Sequence, residues 1–164
     1  MSLYNQMHKD GVLERHQSGQ QSKKSSFILI KSLEEMNTTE LAAHCAREID
    51  SFRRGEPTSE RYTVELLRLA IERGEPEAWR SIQQCYSELI LSWLCYHPQW
   101  KIALQLGSEE HYVTSTVNRF KQMTSLNQQI ACDSMAEALR YLQVCLNGVM
   151  LDRLRFYSCS REIP

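Results

Sequence analysis

One long amphipathic segment, Ser134 to Arg155, constrains the fold of this chain most. At about 100° per residue, its apolar side chains fall within roughly one third of the helix circumference. These side chains are Met135, Ala138, Leu139, Leu142, Cys145, Leu146, Val149 and Met150. Ser134 and Glu137 stand at capping-box spacing, so the helix is expected to begin there. We therefore predict a long helix with one face in a core.

The opposite side of this predicted helix carries amide and guanidinium groups. Its members are Glu137, Arg140, Val144, Asn147, Gly148, Leu151 and Arg155. A purely solvated face is more often built of Glu and Lys pairs, so this composition indicates a face that contacts another molecule. The intrinsic helix propensity of Asn does not favour Asn147 at the centre of a helix. Either base contact or a buried hydrogen bond to a neighbouring helix would explain this residue. Arg140 and Arg155 could contact nucleic acid or simply be solvated.

The composition is that of an ordinary globular protein. The 164 residues, 42% hydrophobic and 24% charged, suit one domain. Six glycines and four prolines are few, which favours helices over a β-rich fold. A net charge of −1 argues against a protein whose whole surface is basic and coats nucleic acid, but it is compatible with a local basic stripe. The sequence shows no secretory segment and no membrane-spanning apolar run, so we expect a cytoplasmic protein without a membrane partner.

The cysteines and histidines form no metal-binding or catalytic pattern. The six cysteines are Cys45, Cys85, Cys95, Cys132, Cys145 and Cys159, with no CxxC pair among them. Cys45, Cys85, Cys95 and Cys145 lie in helical patterns, where a reduced thiol packs as a small buried hydrophobe. The five histidines share no spacing, and no nucleophile, phosphate-loop, zinc or dinucleotide motif occurs. We therefore predict no metal, no cofactor, no catalytic residue and no enzymatic activity.

The chain is expected to contain a flexible N-terminal tail, a helical domain and a short C-terminal tail. The tail covers residues 1–36, and its apolar segment Phe27–Ile30 could dock on the body or form a short helix. The domain covers residues 37–157, and residues 158–164 form the C-terminal tail.

Within the domain, five helices and no strand are predicted. Their expected ranges are 38–54, 58–73, 76–96, 108–123 and 134–155, with loops at 99–107 and 124–133. Asn37 and Ser108 are expected N-caps, and Gly55 and Gly74 are expected stops. The predicted inward side chains include Phe52, Tyr62, Trp79, Tyr86 and Trp93, the last three better explained by core packing than as a base-stacking platform. The predicted fold class is an all-α compact bundle of about five helices.

Two blocks of the chain resemble region 2 of bacterial RNA polymerase sigma factors, specifically the extracytoplasmic-function group. Residues 65–94, ELLRLAIERGEPEAWRSIQQCYSELILSWL, are similar to the family's opening helix pair with its Gly-acidic-x-x-Ala-Trp/Phe turn. Residues 140–155, RYLQVCLNGVMLDRLR, resemble the family's pattern of an aromatic residue, Leu, Asn and Asp-x-Leu-Arg. The matching positions are Tyr141, Leu142, Asn147, Asp152, Leu154 and Arg155. The likeness covers roughly residues 62–157, and the order and spacing of the blocks carry it.

The resemblance implies a helical bundle that, in the family, docks on the clamp helices of core RNA polymerase and opens promoter DNA at the −10 element. The loop at 126–130 and the outer face of the last helix would capture flipped bases of the non-template strand. The DNA-binding residues so implied are Leu126, Asn127, Gln128, Gln129, Arg140, Gln143, Asn147 and Arg155. The implied polymerase- or partner-binding residues are Glu110, Thr114, Asn118, Arg119 and Gln122. Amides that read base edges and arginine forks that bind phosphates suit this role.

Two departures from the family pattern support an alternative. The helix before the loop has His111, Thr114 and Ser115 where the family usually carries acidic residues that meet the clamp, and charge-assisted bonds are the strong ones. The family's C-terminal helix-turn-helix domain is also expected to be lacking from this chain. The alternative is a degenerate sigma-like bundle that binds a regulator protein. Asp152 is predicted to pair with a nearby Arg.

Overall fold

The computed structural model describes residues 31–127, 130 and 132–161. The described residues fall into two units, with the boundary between Glu35 and Met36. In the described part of the first unit, a 3-10 turn spans Leu33–Glu35, and the Ser32 backbone N–H donates to the Glu35 carboxylate at 3.3 Å. Residues 1–30 of the predicted tail 1–36, which include the apolar segment Phe27–Ile30, lie outside the described residues.

The second unit is a bundle of six α-helices, and the described residues contain no strand. The helices are α1 (Thr38–Arg53), α2 (Arg61–Ile71), α3 (Pro76–Tyr96), α4 (Trp100–Leu106), α5 (Glu109–Leu126) and α6 (Met135–Arg161). The predicted all-α fold class is therefore confirmed. Over the part of the chain that the structure describes, no helix combines the length and the apolar content needed to cross a membrane.

The helix ends follow local sequence signals. Asn37 caps α1 with a complete capping box: its side-chain oxygen accepts from the Glu40 N–H at 2.9 Å, and the Glu40 carboxylate accepts from the Asn37 N–H at 3.0 Å. Ser108 caps α5 by accepting from the His111 N–H at 3.1 Å. Gly55 and Gly74, after α1 and α2, adopt φ values of 70° and 63°, which only glycine reaches without strain. These predicted caps and stops are confirmed.

The predicted loop at residues 99–107 is wrong, because this stretch contains α4. Ala103 at the centre of α4 is fully buried, and its carbonyl accepts a hydrogen bond of 2.7 Å from the Tyr112 hydroxyl of α5. The short helix is thus fixed by tertiary contact, because a helix of seven residues is not stable by itself.

Two predicted helix ends also fall short of the observed ones. α5 continues to Leu126 into the predicted loop, because Thr124 is buried and so belongs to the packed part of the helix. The Thr124 hydroxyl is satisfied by donating to the Phe120 carbonyl at 3.0 Å. Leu126 is therefore the last residue of a helix, and the predicted base-capturing loop begins one residue later. α6 continues to Arg161, so the described part of the predicted C-terminal tail is helical.

Helices α5 and α6 form an antiparallel pair. Met123 contacts Cys145 toward one end of the pair, and the His111 ring contacts Arg153 at the other. α1 packs on α2 and α3, while α3 packs on every other helix of the unit, including both members of this pair. The largest fully buried side chains are Tyr86, Tyr112, Phe120, Leu41, Leu66, Leu67, Ile82, Ile90, Leu94, Met135, Leu142 and Leu146.

Most predicted inward side chains are buried. All eight predicted for α6 are buried, as are Trp79 and Tyr86. Tyr62 and Trp93 lie only partly inside, and Phe52 is 39% exposed because α1 ends one residue later, at the edge of the bundle. Tyr62 instead stacks on the His44 ring, with 4.2 Å between ring centroids.

Two cysteine positions contradict the sequence-based interpretation. Cys95, predicted to pack in the core, is exposed in the last turn of α3, on the side that no other helix covers. Cys132, placed in a predicted surface loop, is buried. The connection between α5 and α6 therefore carries apolar anchors, because Ile130 is buried there as well.

A buried carboxylate joins α1 to the start of α2. Glu48 is 6% exposed, and its oxygens accept from the Ser59 and Thr63 hydroxyls, both at 2.7 Å, and from the Thr63 backbone N–H at 2.9 Å. The first turn of a helix presents unpaired N–H groups and a positive dipole end, so a carboxylate is well placed there. Glu48 thus caps α2 from a different helix.

Candidate functional site

The predicted outer face of α6 is open to solvent. Arg140, Gln143, Asn147 and Arg155 are all exposed. At about 100° and 1.5 Å per residue, they occupy about one third of the circumference and span about 22 Å along the helix. We call this exposed face of α6, whose polar members are these four residues, the α6 stripe. Because Asn147 is exposed, the alternative prediction that it makes a buried hydrogen bond to a neighbouring helix is wrong.

The α6 stripe also contains apolar surface. Val144 and Leu151 lie at angles between Asn147 and Arg155, and they are 54% and 47% exposed. The stripe therefore combines amide donors and acceptors, two cations and two aliphatic side chains. This combination can contact both the edges and the flat faces of unstacked bases, or the mixed surface of a protein.

The two cations of the stripe have no carboxylate partner among the described residues. The Arg140 guanidinium lies 5.7 Å from the ring centroid of the adjacent Tyr141, a contact that leaves its N–H donors available. Arg155 is exposed near the C-terminal end of α6. Both positive charges are therefore accessible to an anionic ligand.

A second carboxylate fixes the beginning of α6. Glu60 precedes α2, and its carboxylate accepts a hydrogen bond of 3.0 Å from the Met135 N–H at the start of α6. Ser134 accepts from the Glu137 N–H at 3.2 Å, as the capping-box spacing predicts. Glu60 adopts a left-handed conformation with φ 58°, which an L-residue rarely adopts. This strained residue and Ser134 together set the position from which the α6 stripe extends.

The predicted base-capturing loop is only partly described. Leu126 is 87% exposed at the end of α5, and Asn127 follows it, also exposed. Gln128 and Gln129 lie outside the described residues. Since α5 and α6 are antiparallel, Leu126 and Asn127 lie near the N-terminal end of α6, whereas Arg155 lies toward the opposite end.

Of the five residues predicted to bind polymerase or another partner, three line one groove and the other two lie at separate places on α5. Asn118, Arg119 and Gln122 lie together along a groove between α5 and α6. Thr114 is part-buried and accepts a hydrogen bond of 3.3 Å from the Gln83 side chain of α3, so it links two helices. Glu110 is exposed in the first turn of α5, outside that groove.

The groove between α5 and α6 has a volume of about 430 Å³. It is lined by His111, Ser115, Asn118, Arg119, Gln122, Val149, Asp152, Arg153 and Phe156. Asp152 forms an ion pair with Arg119, which confirms the predicted Arg partner. The Arg153 Nε–H donates to His111 Nε2 at 3.1 Å, so that ring nitrogen is an acceptor. Phe156 is 70% exposed and provides the apolar wall.

Gly148 explains how Arg119 reaches across the pair. A Cβ at this position would collide with the Arg119 guanidinium, so the missing side chain leaves the space in which that arginine lies against α6. Burial raises the pKa of the neighbouring Cys145 thiol to about 11, an effect that Arg119 opposes. The sequence reasoning identified Arg119 but missed Arg153 and Phe156 as groove residues. Their spacing from Val149, four and seven residues along α6, is the signal that could have placed all three on one face.

The chain matches no family model, no curated protein and no solved structure. Among the described residues, no group of three His, Cys, Asp or Glu side chains is placed to hold a metal ion. The arrangement of the α6 stripe and of the groove is therefore the basis for assigning a function.

Proposed function

We propose that this chain is a sigma-factor-like module of transcription initiation, which binds single-stranded promoter DNA of the −10 type, core RNA polymerase through its clamp helices, or both. The observation that carries the proposal is the open α6 stripe. Arg140, Asn147 and Arg155 share this exposed face, and the two arginines have no carboxylate partner among the described residues, so their donors are available to a ligand.

Each chemical component of single-stranded DNA has a counterpart on the stripe. The guanidinium groups of Arg140 and Arg155 suit phosphates, because their N–H forks match phosphate oxygens. The amides of Gln143 and Asn147 can pair with base edges that unstacking exposes. Val144 offers apolar contact to the base faces that lie between them.

A fluorescence-anisotropy titration with a labelled −10-like single-stranded oligonucleotide tests the DNA part of the proposal, and a pull-down on core polymerase tests the protein part. Both should be performed at low salt, where phosphate contacts are strongest. We expect saturable binding in at least one assay. Absence of binding in both would remove the proposal.

Substitutions on the stripe separate contact from structure. Arg140→Ala and Asn147→Ala should each weaken DNA binding by about 1–3 kcal/mol while leaving the melting temperature unchanged. Arg47→Ala and Gln84→Ala are matched controls, because both residues are exposed on other helices. A lowered melting temperature with unchanged affinity would show that the stripe residues are structural.

A second candidate function is a protein-interaction module that binds a regulator protein. The observation that favours it is the groove between α5 and α6, where His111 and Ser115 occupy positions that carry acidic side chains in the sigma family. The groove combines an exposed Phe156 ring with amide and guanidinium donors, which is the composition of a protein-binding surface centred on an aromatic anchor.

Phe156→Ala tests this second candidate, with Tyr96→Ala as the control. Tyr96 is 88% exposed at the end of α3 and outside the groove. If the groove is the docking site, Phe156→Ala should abolish capture of a purified regulator while Tyr96→Ala should not. Transcription from a minimal promoter by polymerase plus this chain would count against the candidate. One sedimentation run distinguishes a heterologous partner from a second copy of the chain.

A further inference from the structure

Two free cysteines from different helices face the same part of the α1–α3 interface, Cys45 on α1 and Cys85 on α3. The Cys85 thiol donates to the carbonyl oxygen of Ala42 at 3.4 Å. Ala42 lies about one helical turn before Cys45. This contact places the Cys85 sulfur against the turn of α1 that carries Cys45.

The surroundings of the two sulfurs differ. Cys45 is completely buried, with the Thr63 hydroxyl 3.4 Å from its sulfur. Cys85 is only partly buried, so a small solute can reach it from solvent. The hydrogen bond to Cys85, together with burial, raises the pKa of Cys45, whereas the bond that Cys45 donates lowers the pKa of Cys85. The thiolate is the nucleophilic form, so Cys85 is the more reactive of the two.

The remaining buried cysteines lack these features. Burial raises the pKa of Cys132 to about 12 and that of Cys145 to about 11, so both stay protonated near neutral pH. Cys95 and Cys159 are exposed at the ends of α3 and α6. Cys45 and Cys85 are therefore distinguished by their position on facing turns of α1 and α3 and by the partial exposure of Cys85.

We propose that Cys45 and Cys85 form a redox-modification site, a dithiol that hydrogen peroxide oxidises to an intramolecular disulfide between α1 and α3. In the first step the Cys85 thiolate attacks one peroxide oxygen, the O–O bond breaks, and the leaving hydroxide takes up a proton to become water. Cys85 is then a sulfenic acid. In the second step the Cys45 sulfur attacks the Cys85 sulfur, the S–O bond breaks, and the leaving hydroxide takes the proton of the Cys45 thiol to become a second water. The two thiols lose two electrons and two protons, and the peroxide is reduced to water.

The new bond would enclose the whole of α2, because that helix lies between the two cysteines in sequence. A cross-link of this kind restricts the unfolded chain, so the oxidised protein should melt at a temperature higher by roughly 5–15 °C. Reduction by dithiothreitol should reverse the shift. This site does not involve the α6 stripe or the groove, so its test is independent of the proposed function.

The experiment treats the full reduced chain with hydrogen peroxide at equimolar amounts, then counts thiols and maps a non-reduced proteolytic digest by mass spectrometry. We expect the loss of two thiols and a linked peptide pair that contains Cys45 and Cys85. The double variant Cys95→Ser/Cys159→Ser should give the same result. In Cys45→Ser, Cys85 should stop at a sulfenic acid that dimedone traps, without a linked peptide.

Several outcomes would overturn the proposal. One is a disulfide that joins another pair, such as Cys132 with Cys45. Another is oxidation confined to the exposed cysteines while both interface thiols stay free. A third is accumulation of oxidised Cys85 in the wild-type chain without a bond to Cys45. Because these readouts come from the wild-type chain, the test remains decisive even if a serine variant fails to fold.

Discussion

Glu48 illustrates how a single buried side chain can stabilise two helices. Its carboxylate accepts hydrogen bonds at the first turn of α2, from Ser59, Tyr62 and Thr63, while its own backbone belongs to α1. Glu48→Ala leaves buried donors without an acceptor, so we expect the free energy of unfolding to fall by about 1–3 kcal/mol. Urea denaturation measures the loss. Asp50→Ala, an exposed acid on the same helix, is the control, and an equal loss in both variants would contradict this role.

At Glu60 a favourable hydrogen bond and an unfavourable backbone conformation oppose each other. The side chain accepts from the Met135 N–H, yet the residue has φ 58°. Glu60→Ala loses the bond and keeps the strain, whereas Glu60→Gly loses the bond and relieves the strain, by about 1 kcal/mol. We expect the glycine variant to be close to wild type in thermal or urea unfolding and the alanine variant to be less stable. The opposite order would show that the left-handed conformation is not strained.

Among the elements, α6 was predictable from the sequence and α4 was not. Eight apolar residues of α6, from Met135 to Met150, recur with helical period, and their burial follows from that period alone. α4 has only seven residues, too few to establish a period, and its position depends on the contact between Ala103 and Tyr112. The end of α5 was missed for a related reason, since the burial of Thr124 depends on tertiary packing, which a polar stretch without a clear period does not indicate.

The α5–α6 pair offers a test of how closely Arg119 lies against Gly148. Alanine is favoured over glycine within a helix by about 1 kcal/mol, whereas a part-exposed ion pair such as Arg119–Asp152 contributes about 0–1 kcal/mol. Gly148→Ala displaces the Arg119 guanidinium. When Arg119 is present, the disturbed ion pair therefore offsets part of the gain in helix propensity. In an Arg119→Ala background the full gain of about 1 kcal/mol should appear.

A double-mutant cycle by urea denaturation measures the coupling between these two positions. We expect Gly148→Ala to be more favourable by about 0.5–1 kcal/mol when Arg119 is absent. Equal gains in both backgrounds would mean that the Arg119 side chain does not occupy the space above Gly148.

For the molecule as a whole, the features that the sequence did not reveal are contacts between distant residues. Glu60 and Met135 are 75 positions apart, and His111 and Arg153 are 42 apart. Periodicity assigns each residue to a face of its own helix but does not say which face of another helix it meets. The period therefore placed Arg140 and Asn147 on the outer face of α6 but left open whether Asn147 meets a neighbouring helix, and the groove formed by α5 and α6 required the packing of the pair.

The same packing redistributes charge over the surface. Arg119 is paired with Asp152, and Arg153 is engaged with His111, so the cations near the groove are partly satisfied within the protein. Arg140 and Arg155 on the α6 stripe are exposed and lack a carboxylate partner among the described residues. With a net charge of −1 the protein as a whole does not attract polyanions, so affinity for DNA would have to come from a local group of cations, which the proposal places on the α6 stripe.

The salt dependence of DNA binding therefore tests the charge distribution of the whole molecule. Two phosphate contacts, through Arg140 and Arg155, predict that the logarithm of the binding constant falls with the logarithm of salt concentration with a slope of about −1.4 for a single strand. Arg140→Ala should reduce the slope to about −0.7, and Arg47→Ala should leave it unchanged. Asn147→Ala should lower the affinity at every salt concentration without altering the slope, because an amide releases no counterion.

Anisotropy titrations over a salt series measure the slopes of the wild-type protein and the three variants. A wild-type slope steeper than about −3 would mean that phosphates contact cations outside the α6 stripe, and a slope near zero would mean that the stripe binds no phosphate.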